Sequence, residues 1–100
     1  MTASISGRGL LSLFIKNDVI VVDVRSKEEF DSGYIELSIN IPLDELSQNY
    51  ENLPPDKVIV TYCGKGGGRS EKASIFLNAN GRKSFWLEGG YLHWKYALMQ

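Results

Sequence analysis

The stretch Val60-Thr61-Tyr62-Cys63-Gly64-Lys65-Gly66-Gly67-Gly68-Arg69-Ser70 passes from a β-branched run, through a cysteine, into a glycine-rich turn. It then enters a helical pattern. Lys57 to Tyr62 reads as a buried strand with Cys63 at its C-terminal end. Residues 70–80 form the clearest helix: Ala73, Phe76, Leu77 and Asn80 recur at helical spacing, and Gly81 follows as a stop. A strand that feeds a loop and then a helix is part of a β-α-β unit, and the rest of the chain repeats that alternation.

Upstream, Ser4-Ile5-Ser6 reads as a minor strand. Leu10, Leu11, Phe14 and Ile15 give a helix over 8–16, closed by Asn17-Asp18. Val19 to Val24 is a continuous apolar run with one acid, the pattern of a parallel strand covered on both faces. Ser26 with Glu29 three residues later forms a capping box for a short helix over 27–32 that stops at Gly33. Ser38 to Ile41 reads as a short strand ended by Pro42. Leu43, Leu46 and Tyr50 suggest a helical face broken at Pro54-Pro55. Downstream, Ser84 to Leu87 is a last strand, Gly89-Gly90 a turn, and Tyr91 to Met99 an amphipathic helix. The expected fold is α/β, a mainly parallel central sheet with helices on both faces, in a single domain over 1–100. Ligands in such folds sit beyond the C-terminal ends of the strands, which is where Cys63 and its loop fall.

The 100 residues carry a formal net charge of −1, with 43% hydrophobic and 23% charged side chains. That balance suits a globular domain and gives no reason to expect nucleic acid or an anionic membrane as a partner. A single cysteine rules out an internal disulfide, and one Cys with one His cannot supply a tetrahedral zinc set without carboxylates, so no metal or other cofactor is expected. The lone thiol, the lack of a basic-then-apolar leader and the absence of a long apolar run lead to a cytoplasmic expectation.

The loop has a physical logic. Cysteine attacks as thiolate, and backbone N–H groups together with a helix N-terminus stabilise negative charge on sulfur. Gly64, Gly66, Gly67 and Gly68 let the loop take left-handed conformations, so that successive N–H groups turn inward as an anion nest. Lys65 and Arg69 add charge that can hold or steer an anionic donor. The bland reading is a small core cysteine beside a flexible turn, but four glycines and two cations make poor core design. His93 reads as a solvated residue of the last helix. Trp86 and Trp94 read as packing residues. Lys65 at a loop tip can equally serve solubility.

With these residues in view, the sequence resembles the rhodanese-like family across nearly its whole length. Val21-Val22-Asp23-Val24-Arg25 with Glu28-Glu29-Phe30 is similar to the first family motif. Gly33-Tyr34-Ile35 with Ile39-Asn40-Ile41-Pro42 resembles the second. Tyr62-Cys63 with Arg69-Ser70 resembles the active-site loop, and Leu87-Glu88-Gly89-Gly90-Tyr91 with Trp94 the C-terminal motif. The resemblance implies the three-layer rhodanese-like fold and a sulfurtransferase. Cys63 would take sulfane sulfur from a small donor anion such as thiosulfate, with residues Gly64, Lys65, Gly66, Gly67, Gly68 and Arg69 holding the substrate or persulfide. A thiol or protein-thiol acceptor would then take it. Asp23 and Arg25 would be structural support, a buried acid and a surface ion-pair network. With no second thiol in the chain, the acceptor must come from outside, and an open entrance over the glycines would admit a protein thiol.

Two departures stand out. Tyr34 occupies a common histidine position, and Glu36-Leu37-Ser38 replaces a small-residue turn. The spacing Cys63-x5-Arg69 is one residue longer than is common in single-domain members and matches phosphatases and arsenate reductases, whose loop rings a tetrahedral oxyanion. That is the alternative function. Against it, Tyr62 replaces the histidine before their cysteine and the loop lacks an acid for the leaving group, Glu71 lying inside the next helix. A third reading is a non-catalytic rhodanese-like binding module, which the presence of Cys63 opposes.

Overall fold

The computed structural model describes residues 2–98. Five strands, β1 (Ala3–Ile5), β2 (Val19–Asp23), β3 (Ile39–Asn40), β4 (Val58–Tyr62) and β5 (Ser84–Leu87), form one sheet in the order β1-β5-β4-β2-β3. Every pairing is parallel. The connections carry the helices α1 (Gly7–Lys16), α2 (Lys27–Ser32), α3 (Leu46–Asn49) and α4 (Gly68–Ala79), and α5 (Gly90–Leu98) follows β5. Parallel strands need such crossovers, and the helices they supply cover the sheet.

Two apolar layers follow from the alternation of side chains along the central strands. On one face Val22, Val24, Ile59 and Cys63 pack with Leu46, Leu53, Ala73 and Leu77, under α3 and α4. On the other Val19, Val21, Val60 and Tyr62 pack with Leu10, Ile35 and Leu87, against Phe14 of α1 and Tyr91 and Trp94 of α5. Trp94 is thus a packing residue, its ring tilted against Phe14 at 6.3 Å. The adjacent Tyr62 and Cys63 therefore point into opposite layers.

Most expected elements stand within a residue or two of their places. The Ser26–Glu29 capping box forms at the start of α2. The stretch from Leu43 onward is not one helix. It is a 3₁₀ turn at Leu43–Glu45, the four-residue α3 and a second 3₁₀ turn at Tyr50–Asn52, so the chain bends twice while Leu43, Leu46 and Tyr50 keep their contact with the core. Of the helix expected over 91–99, Met99 lies outside the described residues. Among the described residues no helix is long and apolar enough to cross a membrane.

Below Cys63 in the opposite layer, the Tyr62 hydroxyl accepts from the Ile35 N–H at 3.1 Å and lies 2.8 Å from Ser38 Oγ. Burial pushes its pKa up to about 12 against the opposing pull of those bonds, so it stays neutral. Tyr62→Phe leaves the buried Ile35 N–H without this acceptor and is expected to cost about 1–3 kcal/mol in urea unfolding.

Candidate active site

Cys63 follows the last residue of β4, and its Sγ is directed towards the start of α4. It is 5% exposed. The thiol donates to the Gly67 carbonyl at 3.2 Å and lies 3.3 Å from Ser70 Oγ. Ser70, fully buried, gives its own hydroxyl proton to the same carbonyl at 2.9 Å. Thr61 Oγ1 donates to the Ser70 carbonyl at 2.8 Å and so fastens the first turn of α4 to β4. The Ser70 hydroxyl can turn from Gly67 to the sulfur when the thiol loses its proton. Ser70 is thus a site residue, and its only signal in the sequence is a hydroxyl directly after Arg69.

Gly66, Gly67 and Gly68 have φ of 88°, 70° and 46°. Among the described residues the N–H groups of 64–67 donate to no protein acceptor, and those of Gly68 and Arg69 open α4, where a helix has no internal partner for them. This places Gly68 and Arg69 in the helix, two residues earlier than the pattern over 70–80 suggests. Glycine is a poor helix former, but at the first turn tertiary contacts outweigh propensity. Lys65 stands exposed at the loop tip.

The loop is held from outside by the turn before α5. The Tyr91 N–H donates to the Cys63 carbonyl at 2.8 Å and the Leu92 N–H to the Gly64 carbonyl at 3.0 Å. A Cβ on Gly90 would lie 2.4 Å from the Cys63 carbonyl oxygen and 2.6 Å from the Gly66 nitrogen, and one on Gly66 would lie 2.6 Å from the Gly89 nitrogen. Only glycine permits this approach. His93 sits over Gly89 and is exposed. It is not brought to the sulfur by any hydrogen bond among the described residues.

Arg69 is exposed, but its guanidinium is engaged. It meets Glu29 through Nη1 to Oε1 at 2.8 Å and Nη2 to Oε2 at 3.2 Å. Glu29 also accepts from the Ser26 N–H and hydroxyl. The Arg69 guanidinium, with Ser26 in support, holds the Glu29 carboxyl down at about 2 from its ordinary 4.5. The pairing in turn raises Arg69.

Asp23 and Arg25 stand beside the site as a buried pair, at 0% and 6% exposure; Asp23 is the buried acid expected, but its ion pair with Arg25 is buried too and is no surface network. Arg25 reaches Asp23 Oδ2 at 2.7 Å and the Gly33 carbonyl at 2.6 Å, and its guanidinium lies over the Tyr91 ring at 4.6 Å. Strand geometry explains this, because Asp23 faces the Tyr62 layer and Arg25 folds back onto it. Tyr34, in place of a histidine, stacks on Phe30 at 4.3 Å.

A cleft of about 650 Å³ opens beside Arg69, lined also by Val24, Ser26, Lys27, Leu43 and Asp44 among others. Val24 and Leu43 belong to the apolar layer that contains Cys63. The thiol itself is nearly covered, which corrects the open entrance expected over the glycines. Among the described residues no cluster of His, Cys, Asp and Glu is arranged to hold a metal.

The model for the rhodanese-like domain matches residues 8–97. This chain belongs to the rhodanese-like family. It is 34% identical to a rhodanese-related protein of Thermoplasma volcanium, with a TM-score of 0.85, covering 95% of this chain and 92% of that one. It is 32% identical to part of Bacillus anthracis CoADR-RHD, with a TM-score of 0.87, covering 98% of this chain and 17% of that one. In an alignment covering 77% of this chain, it is 36% identical to the tRNA uridine(34) hydroxylase of Cronobacter sakazakii. The chain spans 24% of that curated relative.

Two outcomes are expected. Gly81 (φ 80°) and Gly90 (φ 61°) share left-handed backbone, but a Cβ at Gly81 meets nothing within 4 Å. Gly81→Ala should cost about 1–2 kcal/mol, the strain alone, and Gly90→Ala about 3 kcal/mol or more, since rigid backbone blocks it, as read by urea unfolding. A carboxyl NMR titration should place Glu29 near 2. Because its folded pKa is depressed, its stabilisation is complete above about 4.5 and is lost as pH falls towards 2, a dependence missing in Glu29→Gln.

Proposed function

We propose that this chain transfers sulfane sulfur through a persulfide on Cys63. It takes the sulfur from a small donor anion such as thiosulfate and passes it to a thiol or protein-thiol acceptor. The observation that carries this reading is a cysteine at a strand end followed by the run of N–H groups 64–69 with no protein acceptor among the described residues, within a rhodanese-like domain. The thiolate attacks the outer sulfur of thiosulfate. The S–S bond breaks, sulfite leaves with the electron pair, and Cys63 carries S–S⁻. The loop N–H groups and the start of α4 hold that charge, and Ser70 supplies a hydroxyl to the inner sulfur. An acceptor thiolate then removes the outer sulfur and restores the Cys63 thiolate.

The phosphatase or arsenate reductase alternative draws support from the Cys63-x5-Arg69 spacing. Two features weigh against it. Arg69 is occupied by Glu29, and the loop from Gly64 to Gly68 carries no acid to protonate a leaving group. For tRNA uridine hydroxylation, the shared segment is a quarter of the named relatives, and a net charge of −1 offers no footprint for a phosphate backbone. We therefore assign the cysteine-loop chemistry to this chain and not the whole activity of those relatives.

Incubation with thiosulfate should add one sulfur atom to the intact mass, and Cys63→Ser should show none. Phosphate release from an aryl phosphate that depends on both Cys63 and Arg69 would reverse the assignment.

A further inference from the structure

Arg69 lies six residues after Cys63 and would ordinarily be the cation that draws an anionic donor to the sulfur. In this chain both of its reaching nitrogens are taken by the two oxygens of one carboxylate, at 2.8 and 3.2 Å. That carboxylate, Glu29, is fixed from behind by the Ser26 N–H at 3.2 Å and the Ser26 hydroxyl at 3.1 Å. The capping box of α2 thus aims Glu29 at the active-site helix. We infer that Glu29 is a specificity-determining residue that neutralises Arg69 and so turns the site from doubly charged sulfur donors towards donors of low charge, such as organic persulfides. The inference rests on the sulfur-transfer reading and names the donor class for that same site.

The cleft beside Arg69 points the same way. Its charged lining holds Lys27 and Arg69 against Glu28, Asp44 and Glu45, and Lys27 itself lies 3.5 Å from Asp31. No cation of the lining is left without a carboxylate close by, so a dianion meets little net attraction there. Stability alone does not explain the pair. Both side chains are about two-fifths exposed, and exposed ion pairs contribute little to folding. The same pair nevertheless changes the charge that a ligand meets at the Arg69 side of the site.

Glutamine serves in a capping box as glutamate does, so Glu29→Gln removes the charge while keeping the start of α2. The primary measurement is the affinity of sulfate, an inert dianion, by calorimetry in a Cys63→Ser background. Glu29→Gln is expected to bind sulfate about two- to fivefold more tightly, the scale of one exposed charge pair, and the gain should vanish when Arg69→Gln is added. In turnover, the KM for thiosulfate, with two charges, should fall by a similar factor. The KM for benzenethiosulfonate, with one, should fall less, and kcat should move little. Unchanged sulfate affinity, or a gain that survives Arg69→Gln, overturns the inference. Should Glu29→Gln fail to fold, Glu29→Asp, which withdraws the charge by one methylene, is expected to give a smaller gain in the same direction, and no gain there overturns it as well. Sulfate binding needs no transfer, so absence of persulfide in every variant would sink the sulfur-transfer reading separately.

Discussion

The site depends on a backbone-to-backbone contact between Gly66 and the Gly89-Gly90 turn. Two segments more than twenty residues apart come so close that no Cβ fits between them. Through that contact the first N–H groups of α5 reach the carbonyls of Cys63 and Gly64. Those carbonyls are thereby satisfied, while the N–H groups of 64–67 donate to no protein acceptor among the described residues. An α-helix begins with unpaired donors, and here the beginnings of two helices serve one loop: α5 holds its carbonyls and α4 continues its N–H run.

β4 divides the labour between its faces. Tyr62 and Cys63 are neighbours, so the pleat sends one into each layer. Tyr62 joins a polar network that includes Ile35 and Ser38 and has the Arg25 guanidinium 5.6 Å from its ring. Arg25 continues it to Asp23, Gly33 and the Tyr91 ring. Asn40 closes the same region by donating to the Asp23 and Arg25 carbonyls at 3.0 Å. Removing one member of a buried ion pair strands the other, so this network fixes the geometry of the C-terminal sheet edge at a high cost of change. Cys63 thus stands at the end of a strand whose other face is fixed by this network.

The local rules were readable from sequence. β-branched runs gave the strands, and the Ser26–Glu29 spacing gave both the helix and its cap. The order of motifs gave the family. What escaped lies across distance in the chain. Nothing near Arg69 announces that Glu29, forty residues earlier, occupies it. Nothing near Gly90 announces Cys63. The helical state of Gly68 and Arg69 was hidden because glycine composition argues for a loop, and only contacts such as Thr61 to the Ser70 carbonyl hold that turn. Arg25 reads as exposed by type and is buried because Asp23 and two tyrosine rings enclose it.

Cysteine-to-arginine spacing is therefore not itself a chemistry. The extra residue in Cys63-x5-Arg69 allows a loop large enough to ring an oxyanion, but a ring works only if its N–H groups and its arginine point to the same guest. Here Gly67, the residue that caps α4, presents its carbonyl to the sulfur, and the arginine turns outward to a carboxylate on another helix. An arginine held by a carboxylate leaves this loop without the free side-chain clamp that a tetrahedral oxyanion needs. That difference is set by Glu29, which a motif spacing does not record.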